Sequence, residues 1–186
     1  SKNLQDKEVT LQLQVTNEEK SNKPTGEIML VLDNSESMKL ETSTGSVRKD
    51  LVFESAKTLV SNLLKDNENL KIGVVSFSTN TDASKEGTTE DAQVVSKLSN
   101  DSNALLNSIS SIEATGPRTD LEAGLEVASG EFTKTDNSKY MIVLTDGVPN
   151  VALNYDKVYY SDDVIAKTKA KLEALKKANV NVITML

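Results

Sequence analysis

Asp33, Ser35 and Ser37 stand at every second position in Leu32-Asp33-Asn34-Ser35-Glu36-Ser37-Met38, directly after the apolar run Ile28–Leu32. One carboxylate and two hydroxyls form an all-oxygen donor set, the kind that a hard divalent cation prefers. The chain has no histidine and no cysteine, which closes imidazole and thiolate chemistry. The same residue types also favour turns and helix caps, so the short stretch alone fits either a cation loop or a capping cluster.

The elements that must position these residues can be read from periodicity. Ile28–Leu32 is continuously apolar, as strands covered on both faces are, Ile72–Phe77 reads as a second apolar strand and Tyr140–Leu144 as a third buried one. Leu51, Val52, Ala56, Leu59, Val60 and Leu63 recur at helical spacing, as do Leu105, Leu106, Ile109 and Ile112, and then Leu121, Leu125, Ala128 and Phe132. Ala92–Lys97 reads as a short edge strand. A last helix starts at Ser161 or Asp162 with acidic residues and closes on Lys176 and Lys177, and a strand follows at Asn181–Met185. Strands alternating with helices predict an α/β fold, doubly wound, with a mainly parallel sheet flanked by helices. Glu8 to Val15 alternates as a half-buried strand and Asn17 to Gly26 reads as a linker. The expected division is residues 1–23, an N-terminal strand and linker at the edge of the domain or left from a neighbouring one, and residues 24–186, the main domain.

Composition narrows the function. The net charge of -7 argues against nucleic acid and anionic membrane surfaces. No apolar run is long enough to span a bilayer. A histidine-based hydrolytic triad is impossible, and neither Gly-x-Gly-x-x-Gly nor Gly-Lys-Ser/Thr occurs. A haloacid-dehalogenase-type phosphatase would want an aspartate where Ser35 stands. The expectation is a protein that is not an enzyme.

In open parallel sheets, ligands bind beyond the carboxyl ends of the strands. Asp33 ends one expected central strand, and Asp146, in Val143-Leu144-Thr145-Asp146-Gly147, ends another. Thr119, in Gly116-Pro117-Arg118-Thr119-Asp120, lies at a helix start from which it could reach the same crevice or simply cap the helix. Asp33-x-Ser35-x-Ser37, then Thr119, then Asp146 resemble the metal-ion-dependent adhesion site of von Willebrand factor A domains. The wording around Asp33 is most similar to that of Gram-positive pilus-tip and surface adhesins. The resemblance covers Glu27 to Leu186. It implies a Rossmann-like von Willebrand factor A fold. Members continue through another strand and a last helix, so the expected domain is incomplete at its C-terminal end.

The resemblance also implies roles. Asp33, Ser35, Ser37, Thr119 and Asp146 would hold one divalent cation, Mg2+ first and Mn2+ or Ca2+ as alternatives. The hydroxyls would touch it and the aspartates act partly through water. A partner carboxylate would complete the octahedron at about 2.0–2.1 Å for magnesium. The implied protein is an extracellular adhesion module of a cell surface, cell wall or pilus. Its partner would be a protein with an acidic residue, matrix proteins included. The alternative is an intracellular A-domain assembly or chaperone module of the kind attached to metal chelatases. Glu36 replaces the glycine common between the two serines and, by alternation, turns away from the ligand set. Glu36, Tyr155, Tyr159 and Tyr160 are candidates for a recognition rim, with packing of the tyrosines onto the body as the alternative. Asp82, Glu86, Glu90 and Asp91 read as a solvated loop, with a second cation site as the alternative.

Overall fold

The computed structural model describes residues 25–65, 67–154 and 162–185. The strand expected at Glu8 to Val15, Tyr155, Tyr159 and Tyr160, and Ser161 lie outside the described residues. The elements run β1 (Gly26–Asp33), α1 (Arg48–Leu64), β2 (Leu70–Phe77), β3 (Ala92–Ser99), α2 (Ser102–Ser110), α3 (Leu121–Gly130), β4 (Ser138–Leu144), α4 (Asp162–Lys177) and β5 (Val180–Met185). They form a five-stranded sheet in the order β3-β2-β1-β4-β5. β1 pairs in parallel with both β2 and β4, and β4 with β5, while β3 runs antiparallel along β2. The expected doubly wound, mainly parallel α/β fold is the one observed.

Alternation along the central strands divides the core in two. Ile28, Leu30 and Leu32 of β1 join Ile142 and Leu144 of β4 on one face, under Phe53, Ala56 and Val60 of α1 and Leu105 and Ile109 of α2. Met29, Val31, Met141 and Val143 point to the other face, under Leu121, Leu125 and Ala128 of α3 and Leu175 of α4. The chain therefore changes face between β1 and β4, and the carboxyl ends of these two strands flank the switch point at which open α/β sheets take ligands. Gly124 lets α3 lie on β2, because a Cβ there would stand 2.8 Å from the Phe77 ring.

Some local expectations are corrected. The buried stripe of α1 is Phe53, Ala56 and Val60, and Leu51 is exposed. Ile112 and Phe132 lie beyond the last turns of α2 and α3. Asp120, not Thr119, caps α3, accepting from the Ala123 amide at 2.9 Å. The Thr79–Asp91 loop is not merely solvated. Glu86 accepts a bidentate pair from Arg118 (2.5 and 2.7 Å), and the buried Asp91 accepts from the Asn80 and Gly87 amides, each at 2.6 Å. Glu90 is paired to Lys85 and Asp82 to Ser84. The four carboxylates are spent on separate partners, which accounts for them structurally and leaves the second cation site without a shared cavity of ligands.

Candidate metal centre

β1 delivers Asp33 to the top of the sheet, fully buried. Its Oδ1 accepts from the Ser35 amide at 2.8 Å, and its Oδ2 accepts from the Thr145 hydroxyl at 2.6 Å. Thr145 directly follows β4, so the pairing of neighbouring strands brings its hydroxyl to Asp33 from 112 positions away. Strand alternation then stops: Glu36–Lys39 is a 3-10 turn, with Met38 buried beneath it. The turn, rather than a continued strand, sets Ser37 beside Ser35, their hydroxyl oxygens 3.0 Å apart. It also sends Glu36 outward, where its side chain is exposed next to Lys39 at 3.7 Å.

The Ser37 hydroxyl donates to Asp146 Oδ1 at 2.8 Å, while Arg48 Nη1 donates to Asp146 Oδ2 at 2.7 Å. Ser35, Ser37 and Asp146 thus form one continuous chain of oxygens, with Asp33 anchored to the backbone beneath it. Burial pushes the Asp33 carboxyl above its usual range. The bonds from Ser35 and Thr145 oppose that rise, and the nearby Asp146 charge adds to it.

Thr119 approaches on a separate segment tied to the same loop. Asn34 O accepts from the Thr115 amide at 3.0 Å, and Gly116 O accepts from the Glu36 amide at 2.8 Å. Gly116 is needed for this approach: a Cβ there would stand 2.0 Å from Ser78 Oγ and 2.7 Å from Thr79 O. Thr119 itself is buried, and its amide donates to Asn150 Oδ1 at 2.9 Å. The Asn150 and Val151 amides return bonds to Thr119 O at 3.0 and 3.2 Å. The five expected site residues therefore sit on segments linked by hydrogen bonds at the carboxyl end of the sheet. Ser35, Ser37 and Asp146 are joined directly, Asp33 to Ser35, and Thr119 through the Gly116 segment.

Three contributors escaped the sequence reading. Thr145 was within the quoted Thr145-Asp146-Gly147 but carries no local sign of its role. Asn150 positions Thr119 from a loop with no periodicity. Arg48 did leave a sign: a cation in the first turn opposes the helix dipole, so its charge is expected to be used elsewhere.

A hard cation fits this donor set. Two carboxylates are present, one of them already compensated by Arg48, and the remaining donors are neutral hydroxyls. Such a set leaves a divalent ion under-neutralised, in contrast to a calcium cage built from several carboxylates. Among the described residues, no group of three or more acidic side chains is placed to hold a metal.

The model of the von Willebrand factor type A domain matches residues 28–148, and the chain belongs to that family. The match takes in all five expected site residues, from Asp33 to Asp146. Solved structures similar to the chain include BatB of Bacteroides thetaiotaomicron, described as a conserved hypothetical protein, at 21% identity and TM-score 0.57, covering 86% of this chain and 65% of that one. The pilus adhesin SpaC of Lactobacillus rhamnosus GG, in its open conformation, gives 20% identity and TM-score 0.67, with coverage of 90% and 24%. The PilB minor pilin of Streptococcus sanguinis gives 16% identity and TM-score 0.69, with coverage of 90% and 51%. The chain thus spans between a quarter and two thirds of the length of these relatives. At such identities the likeness establishes the fold. No curated protein matches the chain.

Proposed function

We propose that this chain is a cation-dependent protein-binding module of a surface or pilus adhesin, not an enzyme, exposed outside the cell. The observation that carries the reading is the oxygen chain Ser35–Ser37–Asp146 at the carboxyl ends of β1 and β4, backed by buried Asp33. The hydroxyls of Ser35, Ser37 and Thr119 would hold Mg2+, with Asp33 and Asp146 as outer partners. When bound, the ion supplies a Lewis-acidic position that takes a carboxylate oxygen. The protein's own part is preorganisation. Thr145 and the Ser35 amide fix Asp33, Arg48 fixes Asp146, and Asn150 fixes Thr119. The pilus adhesin and minor pilin among the similar structures favour an adhesive role. Among the described residues, no helix is long and apolar enough to cross a membrane.

Calorimetry with Mg2+ tests the site. Wild-type protein should bind one ion, and Asp33→Ala and Asp146→Ala should lose at least tenfold in affinity while keeping their circular dichroism, a drop of about 1.4 kcal/mol or more. Wild-type affinity in both variants refutes the ligand assignment. A binding screen against extracellular-matrix proteins, run with Mg2+ and again with EDTA, tests the partner class. Retention that is the same with and without chelator contradicts the cation-bridged carboxylate.

A further inference from the structure

Among the described residues, three large hydrophobic side chains are exposed: Leu40 (55%), Leu51 (47%) and Val148 (62%). Isolated surface leucines and valines are ordinary. The location of these three is not random with respect to the site. The Leu40 amide donates to Ser37 O at 3.0 Å, and Leu40 O accepts from the Arg48 amide at 3.0 Å. Leu51 lies in the first turn of α1, three residues after Arg48, its amide bonded to Val47 O at 3.2 Å. Val148 stands two residues after Asp146, on a turn held by the Gly147 amide bonding to Thr145 Oγ1 at 3.2 Å.

Each exposed hydrophobe is thus carried by a segment that also carries Ser37, Arg48 or Asp146, the three residues joined side chain to side chain by bonds of 2.8 and 2.7 Å. At the opposite end of the sheet, the ring of groups around Glu27 is polar: Thr133, Thr135 and Asn137. The Arg48 guanidinium is already paired with Asp146. A divalent ion at the metal centre would add two positive charges to that of Arg48, against the two carboxylates of Asp33 and Asp146. The occupied centre would carry a net positive charge, and charge complementarity then asks for an anionic group at the centre of the partner and apolar groups beside it. Apolar groups beside a polar centre exclude water from it, which raises the worth of the central contact.

We propose that Leu40, Leu51 and Val148 form an apolar collar that selects a partner protein whose carboxylate is flanked by aliphatic side chains. The inference rests on the metal-centre reading for what holds the carboxylate, and the collar supplies the choice among carboxylates. Two blocked peptides probe it on the full chain, Ac-Gly-Gly-Glu-Gly-Gly-NH2 and Ac-Gly-Leu-Glu-Leu-Gly-NH2, each titrated in Mg2+ and in EDTA while methyl resonances are followed by NMR. With Mg2+, the leucine-flanked peptide should shift the Leu40, Leu51 and Val148 methyls and reach its midpoint at about tenfold lower concentration than the glycine peptide. The double variant Leu40→Ser with Val148→Ser changes only exposed positions. It should erase that preference and leave Mg2+ affinity, read by calorimetry, within about twofold, well under the 1.4 kcal/mol of a tenfold change.

Equal midpoints for the two peptides in Mg2+, or no collar shifts up to millimolar leucine-flanked peptide, overturn the collar and leave the metal centre untouched. So does a preference that survives in the double variant. A preference and collar shifts that persist unchanged in EDTA support the collar and overturn the metal-bridged reading.

Discussion

Asp33 and Asp120 are both buried carboxyls near the crest, and their partners give them different expected behaviour. Asp33 is met by donors on both oxygens. Thr145→Val removes one donor and leaves Oδ2 buried without a partner, at a cost of about 1–3 kcal/mol. Urea unfolding should register that loss in metal-free protein, with Thr145→Ser restoring most of it. Asp120 Oδ1 accepts from the Ala123 amide, but its Oδ2 is buried without a hydrogen-bond partner. Burial, and then the neighbouring Asp91 charge, push Asp120 up to about 7. In the unfolded chain Asp120 titrates near the ordinary aspartate value of about 3.9. Between that pH and about 7 the folded state holds the extra proton, so stability is greatest below the window and falls as pH rises through it. Asp120→Asn should flatten this decline. Melting curves of both proteins from acid to slightly alkaline pH check it, and a wild-type curve that rises with pH across the same window contradicts the assigned proton.

At the scale of elements, the site depends on a close approach between two loops. Gly116→Ala places a Cβ against the Ser78 side chain and the Thr79 backbone, both too close to persist. The segment carrying Thr119 must move, so the variant should lose about 2 kcal/mol or more of stability and most of its Mg2+ affinity. Calorimetry and thermal melts read the two effects separately. Much of this architecture was legible in the chain. The apolar runs gave β1, β2 and β4, because strands buried on both faces leave stretches dominated by Val, Ile, Leu and Met, broken within Ile72–Phe77 only by Gly73 and Ser76. The helical spacing gave α1 to α3 and the charges at its two ends gave α4, and Asp33, Ser35, Ser37 and Asp146 were expected where they stand. What stayed hidden is non-local. Arg48, Thr145 and Asn150 act on residues 98, 112 and 31 positions away, and no periodicity encodes such pairs. The 3-10 turn at Glu36–Lys39 was hidden too, since alternating Asp and Ser mimic the period of a strand.

Across the whole molecule, the sheet has one end that carries the candidate site and another closed by a polar knot. At its base Glu27 is buried and accepts from the Thr133 amide at 2.9 Å, from the Thr133 hydroxyl and from Asn137 at 3.4 Å. Burial alone would raise its pKa, but the bonds from Thr133 and Asn137, with the Lys139 charge, hold it below the usual glutamate value. The knot ties β1 to the segment that enters β4, the two strands whose far ends carry the site. Glu27→Ala should cost about 2–4 kcal/mol by stranding those donors, yet leave Mg2+ affinity unchanged in protein that remains folded. Denaturant unfolding with calorimetry separates the two readouts. The central claim is the cation itself, and anomalous diffraction from crystals soaked in Mn2+ tests it most directly. A single peak within bonding reach of the Ser35 and Ser37 hydroxyls, with Thr119 turned toward it, is the predicted result. A peak elsewhere, or no peak between those hydroxyls at saturating Mn2+, would contradict the account.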